Sequence, residues 1–235
     1  MINRGQGREA HGGPLRLLAL FLFLSATFLG CAPTIVREKH LIPDPLWAQS
    51  GKEIRKGFLV SSLGKSTVEV KYMEKDELLE FLSFSSPDPA LFEPVPPLFG
   101  GMTPFLMEVT NSSNALMVLE GQHALFQDDK GGRLYSVGFP ELYLNLSEDR
   151  RRDEKMKILQ GLLFSSTPIP PGNSRKGLLL FEGLPDPAGK RATLTISFLY
   201  ADKALKSEEV SFPFTIEALL GDKGEAASEE EGIKK

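Results

Sequence analysis

Two stretches toward the C-terminal end of the chain alternate apolar and polar residues with a period of two, and this constrains the fold more than any other feature. In the first, Ala192, Leu194, Ile196, Phe198 and Tyr200 fall on one side, with Thr193, Thr195 and Ser197 on the other. In the second, Val210, Phe212, Phe214 and Ile216 oppose Ser211, Pro213 and Thr215. Successive side chains of a β-strand point to opposite faces, so each stretch predicts a strand with one face in a core and one in water. Such strands belong to antiparallel sheets, since parallel ones are covered on both sides and read as unbroken apolar runs. Pro213 has no amide hydrogen to give a neighbour and predicts an edge position.

Shorter copies of the pattern lie upstream. Val68, Val70 and Tyr72 alternate with Glu69 and Lys71, and Phe105, Met107 and Val109 share one strand face. Asn111-Ser112-Ser113-Asn114 turns the chain into apolar stretches at 115–119 and 122–127. Asp128-Asp129-Lys130-Gly131-Gly132 then predicts a hairpin turn, its glycines free to take positive φ, with a return strand at 133–137. A further strand is expected at 177–181. Helical spacing appears twice. Leu78, Phe81 and Leu82 fall on one side of a helix over 74–84, which the Ser-Ser-Pro-Asp-Pro cluster from Ser85 ends before a Pro-rich loop. Met156, Leu159 and Leu163 mark a second helix, with Ser147 as its cap and Glu148 and Asp149 at the positive end of the dipole. On its other side, Glu148/Arg152 and Asp153/Lys157 are spaced i,i+4. The basic run Arg150-Arg151-Arg152 sits among these acids and reads as a solvated helix face.

About seven short strands separated by turn signals, with one or two helices inserted and not alternating, predict a mainly β, antiparallel, immunoglobulin-like β-sandwich. A composition of 41% hydrophobic and 25% charged residues supplies a core and argues against wholesale disorder. The strand at 105–111 with its Asn-Ser turn, the Asp-Lys-Gly-Gly hairpin, and Ile169-Pro170-Pro171-Gly172 leading into Gly177-Leu178-Leu179-Leu180-Phe181 resemble landmarks of bacterial extracellular immunoglobulin-like lipoprotein domains. The resemblance covers roughly residues 103–217 and implies no shared catalytic residues.

The first thirty residues have a different character. Arg4, Arg8 and Arg16 precede an uncharged, largely apolar run over 17–30, the order of a secretory signal. A spanning helix needs about 20 apolar residues, more than this run supplies. Extension to Val36 reaches that length, so a retained signal anchor is the competing reading, although Gly30, Pro33 and Thr34 weaken its second half. The single cysteine closes the run in Phe28-Leu29-Gly30-Cys31-Ala32, which resembles the lipobox of bacterial lipoproteins. That resemblance implies cleavage between Gly30 and Cys31 and a diacylglyceryl group on the Cys31 thiol. Ala32 at the second position implies, by the same resemblance, sorting to the outer membrane and not the inner one. Two or more acyl chains hold a protein stably at a bilayer, where one is marginal.

The organisation expected is therefore a signal peptide at 1–30, a tether and lead-in segment at 31–65, a β-sandwich domain at 66–217 and a disordered acidic tail at 218–235. Trp47, in the lead-in, is expected to cover one edge of the core. The formal charge of −4 excludes a basic nucleic-acid binder, and one cysteine with three histidines excludes a disulfide framework or a Cys/His zinc site. Removing 1–30 removes three Arg and one Glu, taking −4 to −6 for the exported part. No cofactor is implied. Gly183 and Gly189-Lys190 differ from a phosphate loop in spacing and in having Arg191 in place of Ser or Thr, so a turn is expected. Asp128-Asp129 lacks the spacing of a calcium loop, and the acceptor patterns at Asn111 and Asn145 carry little weight given the bacterial source that the lipobox resemblance implies. His11 and His40 fall in the signal and tether, leaving His123 as the one candidate for catalysis, without an evident partner. Two functions stay open: a non-enzymatic binding or structural module held at the envelope by lipid, meeting another envelope protein or a cell-wall component; and a periplasmic hydrolase or small-ligand carrier whose site is assembled by the fold.

Overall fold

A computed structural model describes residues 39–92, 99, 101–146, 150–164, 168–184, 190–201 and 206–218. The signal segment, with Gly30 and Cys31, and residues 219–235 lie outside them. Among the described residues ten strands build two five-stranded antiparallel sheets. One sheet has the order β1-β10-β9-β6-β7, from Lys39–Pro43, Lys206–Ala218, Arg191–Ala201, Leu116–Asp128 and Arg133–Tyr135. The other runs β2-β3-β4-β5-β8, from Glu53–Arg55, Phe58–Leu63, Ser66–Tyr72, Met102–Thr110 and Ser174–Glu182. Within them, β10-β9-β6-β7 follows the G-F-C-C′ order of an immunoglobulin variable-type sheet and β4-β5-β8 follows A-B-E, so the expected sandwich is present.

The two sheets meet through large apolar side chains. Phe105 of β5 is fully buried, and its ring centroid lies 5.3 Å from Phe126 of β6, 5.7 Å from Phe181 of β8 and 5.2 Å from Phe214 of β10. Val68, Val70, Met107, Leu194, Ile196 and Phe198 extend this layer. Trp47 closes one edge, as expected. It sits on the short helix α1 (Pro45–Gln49), 5.7 Å from Phe212, and its indole N–H donates to the Glu53 carbonyl.

Strands β5 and β8 of the second sheet are buried on their other face as well. Leu106, Leu178 and Leu180 point away from the sandwich into a separate core formed with helices α2 (Lys75–Ser85), α3 (Phe139–Asn145) and α4 (Arg152–Leu162). Leu78 and Leu82 of α2, Leu142 of α3, and Met156 and Leu159 of α4 fill it. The apolar run Leu178-Leu179-Leu180-Phe181 thus has a physical reason: over these residues neither face of β8 meets water. Nor is the edge of β8 open. The Phe164 amide donates to the Leu178 carbonyl at 2.8 Å, an approach that Gly177 permits, since a Cβ there would stand 2.8 Å from the Leu162 carbonyl oxygen.

Several expectations are corrected. The sandwich begins at Lys39, not at residue 66, because β1, α1, β2 and β3 occupy most of the segment assigned to the lead-in. Elements of three to six residues are too short to show a period, yet Leu41, Leu59 and Leu63 are buried. The helix expected from Ser147 begins at Arg152; residues 147–149 lie outside the described ones, and a distinct helix over Phe139–Asn145 starts earlier, helped by Pro140 in its first turn. On the surface of α4, Asp153 pairs with Arg152 and not with the expected Lys157, and Arg151 pairs with Glu154 at i,i+3. The return strand ends at Tyr135 because Ser136 and Val137 cross to β8, the Val137 amide donating to the Leu180 carbonyl. β10 has β9 on one side from Lys206 to Thr215 and β1 on the other from Phe214 to Ala218, so before Phe214 its β1 side is an edge. Pro213 stands where β1 departs, accepting from the Asp44 amide with no hydrogen to return. The outer face of β9 and β10 is the open one expected, lined by half-buried Thr193, Thr195 and Thr215; Ser197 is buried there under Glu209, which accepts from its hydroxyl.

This packing gives a stability test. Phe198→Ala and Phe214→Ala are expected to cost about 3–5 kcal/mol, and Leu180→Ala, facing the helices, about 2–5 kcal/mol. Thr195→Ala should cost under about 1 kcal/mol. Chemical denaturation reads these directly, and a Leu180→Ala cost as small as that of Thr195→Ala would contradict the two-sided burial of β8.

Candidate binding site

Antiparallel pairing sets two distinct ends on the sandwich. Lys39 pairs with Ala218 at one end, so the chain enters there; Lys206 pairs with Tyr200 at the other. The 13 residues of β10 separate the two by about 40 Å. At the far end lie the Gly64-Lys65 turn between β3 and β4, the turn at 111–115 between β5 and β6, and the paired ends of β9 and β10.

Asn111 organises this end. It is fully buried, and its side-chain oxygen accepts from the Ser113 amide, the Ser113 hydroxyl and the Ser66 hydroxyl, while its Nδ2 donates to the carbonyls of Ala115 and Ile169. Its backbone receives the Gly172 amide and donates to the Asn173 carbonyl. One side chain therefore joins the start of β4, the β5–β6 turn and the Ile169–Asn173 turn. The neutral amide suits the task because it offers acceptor and donor together.

Above this knot opens a cleft of about 320 Å³, lined on three sides by Gly64 and Lys65, by Ser113, Asn114 and Ala115, and by Tyr200, Lys206 and Glu208. Tyr200 forms an inner wall. Its hydroxyl donates to the Leu63 carbonyl at 3.1 Å, and burial pushes the phenol's pKa up, opposed by hydrogen bonding with Ser66, so the group is a proton donor and not an anion at neutral pH. Lys206 is ion-paired with Glu208, whose carboxylate leans toward Gly64; both lysines of the cleft are exposed. The arrangement can hold a small polar ligand by charge and hydrogen bonding.

The residues singled out from sequence lie elsewhere. Cys31 and Gly30 fall outside the described residues. His123 belongs to β6, within the stretch from Leu119 to Ala124 where pairing with β9 slips register. Asp128 and Asp129 form the hairpin turn at the chain-entry end: Asp128 Oδ1 accepts the Lys130 and Gly132 amides, and Gly131 takes φ +91°. The Asp128 Oδ2 atom is buried without a partner and packs against Gly132. Arg151 pairs with Asp88 and Glu154, and Arg152 with Asp153 and the Tyr143 ring, in keeping with a solvated helix face. Gly183 is a turn residue at φ +80°, and 185–189 lie outside the described residues. Among the described residues no group of three or more His, Cys, Asp or Glu could hold a metal ion, and no helix is long and apolar enough to cross a membrane. The cleft itself escaped the sequence, where Lys65, Tyr200 and Lys206 are separated by up to 141 positions; the one signal was the Asn-Ser turn.

No family model matches the chain, and no curated protein matches it. Solved structures with some likeness include the Northeast Structural Genomics Consortium target SoR45, at 11% identity and a TM-score of 0.29, covering 73% of this chain and 96% of that one. A DUF4426 family protein from Pseudomonas aeruginosa PAO1 shows 12% identity and a TM-score of 0.29, covering 69% of this chain and 96% of that one.

Because Asn111 satisfies buried groups on three segments, Asn111→Ala should cost about 3 kcal/mol. Asn111→Asp should fare no better, since it sets a carboxylate against two carbonyl oxygens. Asn145→Ala, whose amide reaches the exposed Glu182, should change stability by less than about 0.5 kcal/mol. Urea titration of the three variants separates a structural knot from a surface asparagine, and equal stability of Asn111→Ala and Asn145→Ala would contradict the role given to Asn111.

Proposed function

We propose that this chain is an envelope lipoprotein that works as a non-enzymatic binding module, anchored through lipid on Cys31 and meeting its partner at the far end of the sandwich. The observation that carries the reading is the opposition of the two ends: the chain joins the domain at Lys39, and the cleft opens about 40 Å away across the length of β10. The lipobox-like sequence at 28–32 supports the anchor, and eight peptide units from Cys31 to Lys39 reach at most about 28 Å, enough to keep the domain near a bilayer. Loop surfaces on a rigid sandwich are common places for recognition. The partner in this reading is another envelope protein or a cell-wall component. The bilayer proposed is the outer membrane on its periplasmic side, following Ala32.

Membrane fractionation of Cys31→Ala in a host that processes lipoproteins tests the anchor. The variant should leave the membrane fraction or accumulate with its signal uncleaved, and normal membrane attachment with a cleaved N-terminus would overturn the reading. Complementation of a deletion strain tests the non-enzymatic part. His123→Ala should rescue fully; a folded, membrane-bound His123→Ala protein that fails to rescue would turn the function toward chemistry at His123.

A further inference from the structure

The cleft at the far end has a chemistry that narrows its ligand. A volume of about 320 Å³ is at the low end of ligand sites, so the occupant is compact. Two lysines and one glutamate give the lining a formal charge of +1. The two cations stand on different elements, Lys65 on the β3–β4 turn and Lys206 at the start of β10, so a ligand between them bridges the two sheets. Lys206 is engaged by Glu208, which makes that carboxylate the group an incoming anion would displace. An ammonium is a compact point charge with rotatable donors, able to change partner from one carboxylate to another.

The remaining walls are not cationic. Tyr200, buried but for a small part that lines the cleft, forms the inner wall with its hydroxyl held by the Leu63 carbonyl. The exposed Asn114 offers an amide, and the adjacent Ser113 is fixed by its bonds to Asn111 and Ala115. A cationic rim, an amide and an aromatic wall within one small cleft match three neighbouring features of a peptide's end: its terminal carboxylate, its last peptide group and its last side chain.

We propose that this cleft binds the free C-terminal carboxylate of a peptide, with Lys65 and Lys206 receiving the charge and Glu208 acting as the internal competitor for Lys206. The proposal rests on the binding-module reading and names its ligand. Two sources share this chemistry, a short free peptide and the tail of a partner protein.

The test is calorimetric titration of the full-length lipidated chain in detergent micelles with an N-acetylated tripeptide ending in leucine, as its free acid and as its C-terminal amide. The free acid should bind in the micromolar to millimolar range, and the amide at least about tenfold more weakly. Lys65→Gln and Lys206→Gln should each weaken the acid by about tenfold, whereas Glu208→Gln should keep or tighten binding by removing the competing carboxylate. Added salt should weaken it. Unchanged melting curves for the three variants would show that the fold is intact. The same three residues at the end of a carrier protein distinguish the sources: binding of both probes marks tail recognition, and binding of the tripeptide alone marks a free-peptide site. Equal binding of acid and amide, no saturable binding of the acid through the millimolar range, or loss of binding in Glu208→Gln would overturn the proposal. The anchor fails in fractionation and this site in titration, so the two failures are distinguishable.

Discussion

Everything in this domain depends on the burial, from both sides, of β5 and β8 in the central sheet. β5 and β8 carry Phe105, Met107, Leu179 and Phe181 into the space between the sheets, and Leu106, Leu178 and Leu180 into the space beneath the helices. Phe105 touches rings from four other strands, two of them in the opposite sheet, at centroid separations of 5.2 to 6.0 Å. Offset and edge-on aromatic contacts of this kind add about 0.5–1.5 kcal/mol each beyond the apolar area they bury. The sheet facing water on its outer side leans on this central one, and so do helices α2 to α4.

That central position explains where loops are free and where they are held. Segments running beside β8 are bound to it, as Val137 and Phe164 are through their amides. At the chain-entry end the Asp128 side chain closes its own hairpin through two backbone amides. At the far end Asn111 closes three segments at once, so the cleft above it has a rigid floor beneath an exposed, charged rim. A floor ordered before binding lowers the entropy lost when a ligand arrives.

The sandwich was legible because its best strands are long and face water on one side. Val68 to Tyr72, Ala192 to Tyr200 and Val210 to Ile216 each show the period of two, and all three are strands. The helical layer was only partly legible. Leu78 and Leu82 signalled α2, but Phe139–Asn145 spans two turns, too few for a helical period to stand out. β1 to β3 are too short to show a period for the same reason, and of the lead-in only Trp47 was expected at the core, whereas Leu41 and Leu59 are buried there too. The run at 178–181 held a readable message, since an unbroken apolar strand implies cover on both faces. The cleft was illegible because its walls meet only through tertiary pairing of β3, β6, β9 and β10. Asn111 read as a turn residue, and a turn residue's identity does not disclose that its side chain points inward and makes five hydrogen bonds to four residues.

The two-sided burial of β5 and β8 is tested most directly by native-state hydrogen exchange. The amides of 105–109 and 178–181 should be the slowest in the domain, exchanging only through global unfolding, with those of helices α2 and α4 losing protection in the same cooperative step. Exchange of β8 amides through a low-energy local opening, with the helices detaching well before the sheets, would mean that the helical layer is an appendage and that the central sheet is not the frame of the fold.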